Sequence, residues 1–252
     1  MEHVLFHQMS QLEEVHWWFV SRRAILDAVI KQLPLSDQAA ILEAGCGTGG
    51  NLAMLSAHGT VSAMEYDSVA REMSISRGIG MVAAGSLPDA IPFEPRKFEM
   101  IALFDVLEHL DEDVASLQAL RHRLKSDGWL ILTVPANPWM WSHHDEIHHH
   151  RRRYTLRHLR RVVKNAGYEI TYVSYFNFLL FPLIATIRLL QKMTGKHQDD
   201  GDLTLPSKLA NKTLTSVFSF EKHIMANQIS IPFGVSLVLT ARPTFSCLEE
   251  TV

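Results

Sequence analysis

The stretch Ile41-Leu42-Glu43-Ala44-Gly45-Cys46-Gly47-Thr48-Gly49-Gly50 constrains this chain more than any other. An apolar run from residue 39 to 44 reads as a short buried strand. Gly45, Gly47 and Gly49 then remove Cβ atoms where the backbone must turn sharply and approach a ligand. Asn51, Leu52, Met54 and Leu55 begin a helical pattern, so the first backbone N–H groups of that helix face whatever fills the turn. In an open α/β sheet the carboxyl end of a central strand is where ligands bind. Gly45, Gly47 and Gly50 also satisfy G-x-G-x-x-G, a pattern shared by several nucleotide sites. Glu43, two residues before the first glycine, separates them. A carboxylate at the strand tip suits an amino group and repels a pyrophosphate.

Glu43-Ala44-Gly45-Cys46-Gly47-Thr48-Gly49 resembles the first motif of class I S-adenosylmethionine (SAM)-dependent methyltransferases. The resemblance implies that Glu43 helps hold the methionine part of SAM, with Gly45, Cys46, Gly47 and Gly49 passing under it. Residues 60–66 read as a second strand, with Glu65 at its tip, 20 residues after Gly45. An acid there accepts hydrogen bonds from both ribose hydroxyls of an adenosine. That matches the family's second motif, with Tyr66 beside it, although NAD would be held in the same way. Residues 81–84 form a third strand. Ser86 and Leu87 follow where many members place an Asp for the adenine amino group, a departure that leaves the Ser86 hydroxyl or the loop backbone to substitute. Residues 98–104 form the fourth strand. The resemblance puts Phe104, Asp105 and Val106 against the methionine end of SAM. The Asn/Asp-Pro-Pro-Tyr/Phe of amino-methylating nucleic-acid enzymes is absent here. His109 reads either as a general base or as a helix-start histidine bonded to backbone.

A net charge of −3 and a pI near 6.5 supply no basic field for nucleic acid. Two cysteines, Cys46 and Cys247, suggest neither a disulfide framework nor a zinc site. No signal peptide is visible, and a reducing cytoplasm is expected.

Upstream of the first strand, residues 10–33 show near-helical apolar spacing. They carry His16, Trp17, Trp18 and Phe19, followed by Arg22 and Arg23. Adjacent Trp residues cannot share one helix face. Either both pack inward, or one packs while the other covers the cleft, with His16 and Trp17 then touching substrate. Downstream, residues 126–128 read as a turn and 129–134 as an apolar strand buried on both faces. The helix 155–166, with Thr155 as its N-cap, and the strand 168–175 complete the core.

Residues 139–154 hold five histidines, two acids and three arginines within twelve positions. Three readings apply: a metal site, an active-site loop with a proton acceptor and an anion-gripping Arg153, or a self-ordering loop. The segment resembles a Trp-Ser-x-His-Asp…His-x-Arg-Arg-Tyr pattern found in a subset of bacterial methyltransferases. On that resemblance the active-site loop is preferred. His109, Asp145, His150 and Tyr154 become base candidates, His144 and Arg153 substrate contacts, and no resident metal is expected.

Residues 176–228 are too long for a hairpin and too interrupted to span a bilayer. They read as an apolar helical insertion that lids the site, forms a dimer contact, touches membrane lipid, or adds core packing, with a polar and mobile stretch at 195–206. The resulting expectation is one methyltransferase domain over 1–252, an α/β, Rossmann-like doubly wound sheet with an antiparallel last strand. It has an N-terminal helical cap (1–38), a SAM-binding core (39–175), a helical insertion before the last strand (176–230) and that final strand (231–242). Its function would be SAM-dependent methyl transfer to a small-molecule or amphiphilic acceptor of quinone, lipid or glycan type. The alternatives are an NAD-dependent oxidoreductase and a non-catalytic SAM-binding protein.

Overall fold

The computed structural model describes residues 3–194 and 204–244. Seven strands form one sheet: β1 (Ala39–Ala44), β2 (Gly59–Glu65), β3 (Met81–Ala84), β4 (Phe98–Phe104), β5 (Leu124–Pro135), β6 (Tyr168–Phe176) and β7 (Ser236–Pro243). The order is β3-β2-β1-β4-β5-β7-β6. The neighbours from β3 to β5 pair in parallel, and β7 runs antiparallel between β5 and β6. The order reverses between β1 and β4, which is where a doubly wound sheet opens a crevice at its carboxyl edge. Glu43, Glu65 and Asp105 arrive at that edge from three adjacent strands.

The central strands are apolar on both faces because helices, among them α3 (Leu52–Ser56) and α4 (Ser68–Ser76), cover both. On one side, α5 (Asp113–Arg121) and α7 (Leu156–Asn165) bury Leu117, Leu120, Leu159, Val162 and Val163 against Leu103, Leu130 and Leu132. On the other, α2 (Trp17–Ile30) lays Ile25, Leu26, Val29 and Ile30 against Ile41, Met100 and Ile131. Thr155 caps α7 by accepting from the His158 N–H.

Two expectations change. The helix anticipated over 10–33 is two, α1 (His3–Leu12) and α2, because residues 13–16 turn and the His16 side chain caps α2 by accepting from the Trp18 N–H. The turn at 126–128 lies within β5: pairing jumps from Phe98↔Leu124 to Met100↔Trp129, so the polar residues bulge from the ladder without ending the strand. The insertion carries α8 (Phe181–Thr194), α9 (Lys208–Ser219) and α10 (Glu221–Met225), and α9 lies against α2. Trp18, Phe176 and Phe218 stack on one another, while Trp17 meets Phe218 edge-on. Both tryptophans therefore pack against elements of the core and insertion. The Glu221 carboxylate accepts the N–H groups of Asn177, Phe178 and Leu179, fixing the turn into α8. The polar stretch expected at 195–206 lies, through residue 203, outside the described residues. Among the described residues no helix is long and apolar enough to cross a membrane.

Candidate active site

The glycine turn is shaped by what stands around it. Gly45, Gly47 and Gly49 all have positive φ, in the region that disfavours side chains. A Cβ on Gly45 would lie 2.6 Å from Val106 Cγ2, so the turn and the tip of β4 touch there. A Cβ on Gly47 would meet nothing within 4 Å. Its bare face opens on the crevice, as a cradle for a ligand requires. Gly50 serves a different purpose: a Cβ there would strike the Glu13 carboxylate at 2.5 Å. Glu13 accepts from the Thr48 hydroxyl and pairs with Arg77, tying the segment before α2 to the glycine turn.

Glu43 is fully buried at the end of β1. Its Oε1 accepts from Asn51 Nδ2 at 2.8 Å, while Oε2 has no hydrogen-bond partner. Burial pushes its pKa up to about 8, against the pull of Asn51 and Arg22. A buried carboxylate with one unengaged oxygen beside an open glycine cradle fits the ammonium end of an amino-acid ligand. Glu65 accepts from the Gly47 N–H at 2.8 Å and the Asp67 N–H at 2.9 Å, so it already lies across the turn. Tyr66 beside it is exposed, Ser86 bonds the backbone of Ala90, and Leu87 packs partly against the core. The Cys46 thiol is buried 3.4 Å from the Ser74 hydroxyl, and burial pushes its pKa up.

Asp105 ends β4 at φ 54°, a left-handed conformation sparsely populated by non-glycine residues. Its N–H bonds the Thr133 carbonyl, and its carboxylate accepts from the Thr133 hydroxyl and pairs with Arg22 at 2.6 Å. Arg22 projects from α2 into the crevice, with its guanidinium 5.5 Å from the buried Phe104 ring. In sequence Arg22 stands out only as a neighbour of the aromatic run, with no role at the donor site. Its signal was an arginine on the apolar stripe of α2, three, four and seven residues before Ile25, Leu26 and Val29.

The 3-10 turn after β4 (Leu107–His109) carries Glu108 and His109. The short helix α6 (His143–Ile147) and the turn after it bring His150 beside them, its ring 4.8 Å from that of His109. Asp145 organises the loop from within. Its Oδ1 accepts from His150 Nδ1 and Arg153 Nε, both at 2.8 Å, and its Oδ2 accepts from the Ser142 N–H. Burial alone would raise the Asp145 pKa, but His150 and Arg153 outweigh it and hold the carboxyl well below its usual range. Burial, then the neighbouring His150 and His148, lower the His109 pKa to about 4. His144 is depressed as well, first by burial and then by His148.

Several expected contacts are placed elsewhere. Arg153 is buried, and its guanidinium is engaged by Asp145 and the Ala136 carbonyl, so the anion grip expected of it is directed inward. Tyr154 is fully buried, and its hydroxyl donates to Asp113 and the Leu107 carbonyl. Desolvation, then Asp113, raises its pKa, which is the wrong direction for a base. His16 caps α2 and Trp17 packs on Phe218. The structure brings together His109, His150, Asp145 and a residue the sequence reading passed over, Glu108.

A sequence model of the methyltransferase domain family matches residues 16–173. The chain belongs to this family. Its fold agrees. A SAM-dependent methyltransferase from Thermotoga maritima, described as a possible histamine N-methyltransferase, superposes with a TM-score of 0.59 at 18% identity, covering 95% of this chain and 98% of that one. The complex of the Haloferax volcanii Trm112 methyltransferase activator with a methyltransferase gives a TM-score of 0.63 at 13% identity, covering 96% of each chain. In sequence, the ubiquinone biosynthesis O-methyltransferase of Xylella fastidiosa strain 9a5c is 34% identical over 115 residues, which is 43% of this chain and 46% of that protein. The match thus spans about half the length of the curated relatives. By family this is a methyltransferase domain, and its fold is that of solved SAM-dependent methyltransferases, which leaves the NAD-dependent alternative without support.

Proposed function

We propose that the chain transfers a methyl group to a hydroxyl oxygen of a small, partly apolar acceptor of phenol or quinol type. When bound, SAM supplies a methyl group activated on a sulfonium. The chain holds the donor, excludes water and orients the acceptor oxygen in line. Glu43 receives the donor's ammonium, with Arg22 and Asp105 bracing the same end. The turn from Gly45 to Gly49 lies beneath it, Glu65 takes the ribose hydroxyls, and Tyr66, Ser86 and Leu87 border the adenine. Phe104 and Val106 line the passage to the acceptor.

The observation that carries the choice of an oxygen acceptor is the array behind Asp105. Asp145 fixes Nδ1 of His150, which leaves Nε2 for the space shared with His109 and Glu108. A hydroxyl needs a group that draws off its proton, and an oriented imidazole supplies one. The name of the Xylella relative, a ubiquinone biosynthesis O-methyltransferase, supports a quinol-like acceptor. So does the exposed apolar stripe of α8 (Leu183, Ile187, Leu190), a helix that reaches this loop through Arg188 and Met140. The same stripe would serve a membrane-surface or homodimer contact.

The test is incubation with SAM and a panel of phenols, quinols, amines and small polar hydroxy acids, with products identified by mass spectrometry. Methyl ethers of the apolar phenols or quinols are expected, with kcat lost in His150→Ala while SAM affinity holds. Methylation confined to nitrogen, or to polar acceptors, would overturn the reading. SAM binding without turnover on the whole panel would favour the non-catalytic alternative.

A further inference from the structure

We propose that Glu108, His109 and His150 form a binding site for one divalent transition-metal ion. One ligand atom from each of the three lies within 4.8 Å of the others. They come from two separate segments, the turn after β4 and the loop after β5, so their convergence follows from the fold and not from chain proximity.

Two independent observations point to a cation. The first is Glu108, which is fully buried with neither carboxylate oxygen hydrogen-bonded. A buried carboxylate without a partner is costly, and Asp105 nearby adds a second negative charge. Protonation relieves that cost in isolation; a metal ion relieves it while using both imidazoles. The second is the arrangement behind His150. Its Nδ1 is bonded to the buried Asp145 carboxylate, which is itself held by Arg153 and the Ser142 N–H. A carboxylate on the far nitrogen fixes the tautomer and ring direction of a metal-ligating histidine. Asp145 is therefore a positioning residue, and the Arg151 N–H bond to the Glu108 carbonyl at 2.7 Å joins the two ligand-bearing segments.

The donor set selects the ion. Two imidazoles and one carboxylate suit Zn²⁺, Mn²⁺, Fe²⁺ or Co²⁺, whereas Mg²⁺ and Ca²⁺ favour oxygen ligands. Metal–ligand distances of about 2 Å place donor atoms roughly 3–4 Å apart. The side chains thus close by on the order of 1 Å around the ion. Three protein ligands leave a coordination position open. On the O-methyl-transfer reading, on which this last step rests, the acceptor oxygen would take that position and, made more acidic there, release its proton to solvent as it binds, with His150 then holding the ion in place of acting as the base.

The test uses the full chain, stripped with chelator and titrated with Co²⁺ in the absence of SAM and acceptor. One equivalent is expected to bind with visible d–d bands characteristic of nitrogen and oxygen ligation. Glu108→Gln and His150→Ala should weaken binding at least tenfold, and Asp145→Asn about tenfold through misdirected His150. Each variant is checked by circular dichroism and by SAM-induced thermal shift, so a fold defect is recognised as such. Zn²⁺ and Mn²⁺ should compete with the bound Co²⁺, and Mg²⁺ should not. Absence of saturable binding to the unsubstituted protein would overturn the proposal. Bands unchanged in both Glu108→Gln and His150→Ala would also overturn it, by placing the ion on other histidines of the loop. None of these readouts depends on methyl transfer, so stoichiometric metal in an enzyme that makes no methyl ether upholds the site and rejects the oxygen-acceptor reading alone.

Discussion

Arg22 of α2 and Asp105 at the tip of β4 meet at 2.6 Å across the mouth of the donor crevice. The pair fixes a residue held in a left-handed backbone conformation to a helix that precedes the sheet in sequence. It also brings a positive charge within reach of Thr133 and of Asn51, which bonds Glu43, so β1, β4, β5 and α2 share one polar junction. Replacing Arg22 by Met keeps the stem and removes the charge. Breaking a largely buried pair leaves Asp105 without its partner, and we expect a stability loss of about 1–3 kcal/mol, discounted for the part of Asp105 that faces solvent. SAM affinity should fall in the same variant. Denaturant melts and titration calorimetry measure the two effects separately.

The pH dependence of donor binding should follow Glu43. Its pKa is raised to about 8 by burial, so the free protein holds it protonated below that value. Binding an ammonium requires the carboxylate, and affinity is therefore lost as pH falls through about 8. Well below that pH the loss should approach roughly tenfold per pH unit. Arg22, Glu13 and Glu65 also act on this group and set where the curve lies. Glu43→Gln should flatten the acid limb of the Kd–pH profile as well as weaken binding. A limb that persists in Glu43→Gln would assign the titration to another group.

Two glycines of the turn should fail for different reasons. Gly47→Ala puts a methyl into the open cradle at φ 54°, at a stability cost of about 1 kcal/mol for the backbone conformation. Its main effect should be on SAM binding. Gly50→Ala drives a methyl into the Glu13 carboxylate and should free the segment before α2, which limited proteolysis would detect as faster cleavage near residues 13–16. The reverse pattern would mean that Gly50 faces the donor.

Tyr154→Phe should keep its methyl-transfer activity. The hydroxyl is buried on Asp113 and the Leu107 carbonyl, so its removal costs about 1–2 kcal/mol of stability and leaves the crevice unchanged. A thermal melt and a kcat measurement on the best acceptor of the panel check both halves. A large drop in kcat at unchanged Tm would restore Tyr154 to the base candidates.

The alternation of apolar strands and amphipathic helices was readable because period and burial agree in a parallel sheet. The motif acids Glu43 and Glu65 were readable because they sit at strand ends, where position along the chain fixes position in space. What escaped depended on side-chain direction. Tyr154 and Arg153 look like site chemistry in a list of residues, yet both turn inward, because the loop after β5 needs buried partners for Asp113 and Asp145. Arg22 points the other way, from an apolar helix face into the crevice. Glu108 was hidden by its neighbour: His109 draws the eye as a base, whereas the buried acid beside it becomes visible only when His150, 42 positions downstream, is seen alongside.

The covers over the two halves of the crevice have separate origins. Glu13 and Arg77 clamp the segment before α2 to the glycine turn, while Arg188 of α8 bonds the Met140 carbonyl in the histidine loop. On the proposed reading, donor and acceptor would be housed by different stretches of chain. On that reading, changes in α8 would alter the clientele while the reagent stays the same.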